Sequence, residues 1–171
     1  MRVCLFQWGL FLLLTFNVGL ASGQSFSRND YKPRTIKEIV KTASDEEQPD
    51  LSKDAFILHV DTLPSRVRVT YTGTSRQISS SDKASIWDWA RWCSRKPEEY
   101  AARYETEVLF IEDSVEYWIP VPKRVLPKLK RELKGGQAVD LYLNRIVDVR
   151  TAGKWSCVLL VEEFQKPRES S

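Results

Sequence analysis

The chain has 171 residues, with 26 basic and 23 acidic side chains and a net charge of +3. That near balance excludes a dedicated nucleic-acid binder, which needs a strong basic excess or patch. Seven glycines and eight prolines, with no internal repeat, exclude a low-complexity chain.

Met1-Arg2 opens the chain with a positive charge, and Val3 to Leu20 is almost wholly apolar. Gly19-Leu20-Ala21-Ser22-Gly23 follows as a run of small residues. Charge, apolar core and small-residue exit make residues 1–23 a signal peptide. The other reading is a retained membrane anchor, because an apolar run of about eighteen residues is at the lower limit for a spanning helix. Ala21 and Gly23 favour cleavage. Export places the mature protein in a secreted or periplasmic setting. Cleavage leaves about 148 residues, enough for one compact domain with a real core. No later stretch is apolar enough to span a membrane.

Residues 24–52 read as an N-terminal arm. Within it, Arg34 to Ala43 is predicted as a short helix, with Ile36, Ile39 and Val40 at i, i+3 and i+4. Ser44 to Asp50 is acidic and turn-rich, as a linker should be. The helix is expected either to dock on the main domain or to stay a mobile arm.

Residues 53–166 read as the globular domain, and 167–171 as a polar tail. Phe56 to Val60 is a predicted strand. Val67, Val69 and Tyr71 alternate with Arg66, Arg68 and Thr70 in a half-buried strand reaching towards Ile78. Ser79-Ser80-Ser81-Asp82 offers helix caps, and a helix follows over 82–95 with Ile86, Trp89, Ala90 and Cys93 on one face. Pro97 starts a second short turn. Tyr104, Thr106, Val108 and Phe110 define one strand of a hairpin; Val115, Tyr117, Ile119 and Val121 define the other. A helix over 123–134 has Val125, Leu126, Leu129 and Leu133 inward and ends at Gly135-Gly136. Ala138 to Arg150 and Trp155 to Phe164 form a closing hairpin around Thr151-Ala152-Gly153-Lys154.

From Val67 the order is strand, helical insert, strand, strand, helix, strand, strand. Carried mainly by Tyr104 to Phe164, this order resembles the oligonucleotide/oligosaccharide-binding (OB) barrel. The resemblance is one of architecture and covers about two thirds of the mature chain. It implies a mainly β, five- to six-stranded barrel with a helical insert. The extra strand at 56–60 departs from it, and an open α+β sheet is the alternative.

Cys93 and Cys157 remain after the leader and Cys4 are lost. In an oxidising compartment they are expected to form a disulfide, the alternative being two buried thiols. The bridge would close a loop of roughly 65 residues and contribute about 4 kcal/mol in the chain-entropy model. No metal site and no cofactor are expected, since the two cysteines and the single His59 lack any close ligand pair.

His59 with Asp61 is the one candidate acid–base pair, and no nucleophile elbow accompanies it. Glu105, Glu107 and Glu116 are placed to gather on one hairpin face, where a hydrolase could use two carboxylates. Lys123, Arg124, Lys128 and Arg131, with Lys130 and Lys134, make a basic surface along the second main helix. The aromatics are denser than a small domain needs. Trp118, Tyr104, Trp87 and Trp92 are the candidate ligand-binding residues, because aromatic platforms on the second and third barrel strands stack sugars or bases. The first expectation is therefore a non-catalytic binding module for an extended polymer, such as a polysaccharide, or a protein partner. An envelope structural or assembly protein comes second. A small hydrolase using the acidic hairpin comes third.

Overall fold

A computed structural model describes residues 26–45, 57–59, 62–150 and 154–167. The expected signal peptide, residues 46–56, Asp61, the turn 151–153 and most of the polar tail lie outside the described residues, as does the side chain of His59. A 3-10 turn at Arg28–Asp30 leads into the two-residue strand β1 (Lys32–Pro33) and helix α1 (Ile36–Asp45). Strands β2 (Ile57–His59) and β3 (Ser65–Gln77) follow, then helices α2 (Ser80–Cys93) and α3 (Pro97–Ala101). The hairpin β4 (Tyr104–Glu112) and β5 (Val115–Pro122) leads to α4 (Leu126–Glu132). Strands β6 (Gln137–Arg150) and β7 (Lys154–Gln165) complete the order.

The fold is mainly β with helices, as expected: one curled, largely antiparallel sheet in the order β7-β6-β3-β4-β5. Its pivot is β3. Ser65 to Tyr71 pair with β6, and Thr70 to Gln77 pair with β4. The strand turns from one neighbour to the other at Gly73, whose φ of +86° suits glycine and coincides with a register shift between Tyr71 and Ser75. Gly135 lies against this bend; a Cβ there would sit 2.7 Å from the carbonyl oxygen of Thr72. Strand β2, the departure from a simple barrel, pairs with Ile57↔Val149 to His59↔Val147 on the edge of β6 that β3 leaves free. It prolongs the line of β3 and does not widen the sheet.

The sheet stops short of closing. Strands β5 and β7 lie against one another, yet no ladder joins them among the described residues. The sequence supplies the reason. Pro120 and Pro122 hold places in the β4 ladder opposite Glu107 and Tyr104. A proline fits there only if its nitrogen faces the other edge, so the outer edge of β5 lacks two N–H donors.

Inward alternation fills the half-barrel with Val67, Val69, Phe110, Ile119, Leu141 and Val161, joined by Leu129 of α4 and Leu133 just after it. Helix α1 belongs to this core. Ile36 and Ile39 have no exposed surface, while Val40 stands at the rim. Thr35 and Glu38 cap the helix reciprocally: Thr35 N–H donates to Glu38 Oε2 at 2.8 Å, and Glu38 N–H donates to Thr35 Oγ1 at 3.1 Å. Buried Glu112 accepts the Ile36 N–H at 2.8 Å. The helix also runs two residues into the expected linker.

A second core lies on the outside of the sheet. Ile86 of α2 and Ala101 of α3, with Ile78 just before α2, cover Ile146, Val158, Leu160 and Tyr104. This corrects the expected disulfide. Cys93 and Cys157 are thiols, not halves of a bridge. Cys157 packs towards the barrel interior with Leu159 and Val161, as its alternation suggests. Helix α2 sits on the opposite face of β7, over Val158 and Leu160, so the two inward faces point at different cores. Cys93, at the last turn of α2, is exposed. Burial of its thiol pushes the pKa up, so alkylation of Cys93 in the native protein should speed up as the medium turns alkaline. Cys93→Ser should leave stability within about 0.5 kcal/mol. A mass gain on reduction would reinstate the bridge.

Candidate functional site

Arg76 and Glu107 are cross-strand partners on β3 and β4, on the outer face. Arg76 Nε donates to Glu107 Oε2 at 2.8 Å. The next strand places Trp118 beside them, opposite Leu109. The guanidinium of Arg76 lies over the indole of Trp118, 4.0 Å from the ring centroid. One carboxylate and one aromatic face thus fix a long, flexible cation in a single pose. Glu107 is fully buried, whereas Arg76 is about half exposed.

The start of α2 converges on the same carboxylate. Ser79 Oγ caps the helix by accepting from Asp82 N–H at 3.0 Å. In a complete capping box the third helical residue would take the Ser79 N–H. Here Glu107 Oε1 takes it, at 3.0 Å, from a different strand. The carboxyl of Asp82 then shares a hydrogen bond with Glu107. Burial, this bond and the Glu107 charge push Asp82 up to about 6. Burial would also raise Glu107, but the Ser79 N–H, Arg76 and Asp82 together hold it below the usual carboxylate range. Below about pH 6 the pair therefore holds one proton, on Asp82, with the charge on Glu107 facing Arg76; above it both carboxyls are ionised.

Two concavities meet at this cluster. A surface groove of about 650 Å³ is lined by Ser75, Arg76, Gln77, Lys83, Thr106 and Lys130, among others. A narrow slot of about 90 Å³ follows the open seam, bounded by Val40, Asp82, Tyr117, Trp118, Pro120 and Cys157. Arg76 lines the groove and Trp118 lines the slot, so their stacked pair is the junction.

The expected site residues are distributed unevenly over this surface. Trp118 is at its centre. Trp87 and Trp92 are exposed on α2, Trp92 at 72%, and line neither concavity. Tyr104 is buried in the outer core, and its hydroxyl donates to Glu162 Oε1 at 3.2 Å, so it presents no surface to a ligand. The acidic hairpin does not gather: Glu105 pairs with Lys123 at 2.7 Å, Glu107 is buried and Glu116 is exposed. The basic surface is largely neutralised. Arg124 reaches Glu162 and Glu163, Lys128 reaches Glu163, and Arg131 reaches Glu132. Arg76, Asp82 and Lys83 were missed as site residues because what unites them is sheet register and helix docking. No helix among the described residues is long and apolar enough to cross a membrane.

Comparison with known proteins finds no matching family model, no similar curated protein and no matching solved structure.

Proposed function

We propose that this chain is an exported, non-catalytic binding module on an OB-like barrel, and that it holds an extended polymer across the outer face of β4 and β5. The observation that carries this reading is the Arg76–Trp118 stack at the junction of groove and slot. A charged fork clamped before any ligand arrives costs little ordering on binding. The strand order supports the OB-like part. The bent β3 serves two neighbours, α4 stands between β5 and β6, and Trp118 of the third barrel strand borders the slot. The leader supports export. Fold alone assigns no ligand. Hydrolysis is disfavoured because the hairpin carboxylates do not converge: Glu105 is held by Lys123, Glu107 is buried against Arg76 and Glu116 is exposed on β5.

Trp118→Ala should weaken retention of the mature chain on immobilised polysaccharide columns, a neutral dextran and a polygalacturonate, by about tenfold. That corresponds to roughly 1.4 kcal/mol. Its stability cost should stay near 1 kcal/mol, the scale of a cation–π contact at a part-exposed site. Trp92→Ala should change neither quantity. Equal retention of both variants, or a loss of stability of about 3–5 kcal/mol as for a core tryptophan, would remove Trp118 from the site.

A further inference from the structure

We infer that the groove beside Arg76 is a site for an acidic polysaccharide, a chain bearing carboxylate or sulfate groups along an uncharged sugar backbone. This rests on the binding-module reading and names the ligand class of that site. The basic helix that stands out in the sequence is paired with Glu105, Glu132, Glu162 and Glu163. The groove takes only Lys130 from that helix, together with cations of two other elements. Arg76 comes from β3, Lys83 from α2 and Lys130 from α4. Among the described residues, Arg76 uses only Nε for its bond to Glu107, which leaves both Nη groups as donors. Lys83 has no ion pair there, and Lys130 bonds only the hydroxyl of Ser75, at 3.1 Å. Three cations from three elements thus face one concavity whose single acidic lining residue, Glu105, is engaged by Lys123.

The rest of the lining selects among anionic polymers. Ser75, Gln77 and Thr106 supply neutral donors and acceptors suited to sugar hydroxyls. Ile78 is the only apolar side chain, so the groove lacks the pockets that anchor a peptide. Single-stranded nucleic acid needs free aromatic faces for its bases, and here the face of Trp118 is covered by Arg76. An acidic glycan meets what remains: charge on the Nη groups and ammoniums, hydroxyls on the polar lining, and a path leading onto the stacked pair.

Calorimetric titration of the mature chain with oligogalacturonate, uncharged dextran oligosaccharide and polyglutamate tests this. Oligogalacturonate should bind, with an affinity that falls as salt rises. Arg76→Ala should weaken it by about tenfold or more, the range for losing a hydrogen bond to a charged group. Because Arg76 also partners a buried carboxylate, the double substitution Lys83→Ala/Lys130→Ala is the second variant. Both lysines are exposed, and their loss should weaken binding to a similar degree with the melting temperature unchanged. Lys128→Ala/Arg131→Ala should bind like the parent. Dextran binding as tightly as oligogalacturonate would overturn the acidic assignment and leave the binding-module reading in place. Tighter binding of polyglutamate would overturn the glycan assignment. An equal loss in the Lys128/Arg131 variant would move the site off the groove. Failure of all three polymers to bind would remove this inference together with the reading beneath it.

Discussion

Ile39→Ala should destabilise the protein by about 2–5 kcal/mol, the cost of deleting a fully buried aliphatic side chain and leaving a cavity. Ile39 and Ile36 of α1 are buried in the core of the half-barrel with Val67, Phe110 and Leu159. Val40 is the control on the same helix. It is 41% exposed, so Val40→Ala should cost no more than about 0.5 kcal/mol. Glu112→Ala tests the same docking from the strand side. It removes the acceptor for the Ile36 N–H and should cost about 1–3 kcal/mol, the penalty for leaving a buried donor unpaired. Urea unfolding followed by tryptophan fluorescence reads all three. An unfolding midpoint for Ile39→Ala equal to that of the parent would show that α1 is an appendage in solution. The helix also matters for the proposed site. Val40 borders the slot along the open seam, so loosening α1 should change ligand retention as well as stability.

Glu107→Ala should cost about 3 kcal/mol, the lower end of the range for breaking a buried charge pair, because Arg76 keeps access to water. The loss combines three broken bonds: to Arg76, to the Ser79 N–H and to Asp82. It should also free Arg76 from its pose over Trp118, so ligand affinity should fall with it. Asp82→Asn separates the proton from the scaffold. Asp82 has a folded pKa of about 6 against an ordinary 3.8, so the folded state holds its proton more tightly. Its contribution to stability is complete below about pH 4 and is lost as pH rises through about 6. Glu107 works the other way. Its folded pKa is lowered, so its contribution is present in the neutral range and is lost in acid. Between about pH 4.5 and 6.5 the Asp82 slope dominates, and the parent should lose stability as the pH rises. Asparagine mimics the protonated carboxyl and cannot ionise. Asp82→Asn should therefore flatten that slope and gain about 1 kcal/mol at pH 7.5, a figure reduced for solvent screening of a half-exposed group. Thermal unfolding across this window reads the difference. A parent stability that climbs steadily from pH 4.5 to 6.5 would mean that the two carboxyls do not share a proton.

Local pattern carried most of the elements. The alternation at Val67-Val69-Tyr71 and Val115 to Val121, the 3.6-residue spacing of Ile36 and Ile39, Ser79 before α2 and Gly135-Gly136 after α4 all act within a few residues of one another. Such signals survive in a linear reading because backbone dihedrals and capping bonds are decided nearby. The open seam went unread, although Pro120 and Pro122 were a signal for it, since they remove donors from one edge of β5. Periodicity says that a face is buried, but it does not say against what. Cys93 and Cys157 each sit on an apolar face, and those faces serve cores on opposite sides of β7. Tyr104 alternates with Val108 and Phe110 in the sequence, yet a register shift between Tyr104 and Thr106 turns it to the outer core. One extra residue in a strand reverses every parity before it. The charges depended most on the tertiary structure. Arg124 and Lys128 of the conspicuous basic run are paired with glutamates of β7, while Lys130 of the same run shares a groove with Arg76 and Lys83. Coulomb attraction depends on distance in space, and only the register of β3 on β4 with the docking of α2 and α4 sets those distances.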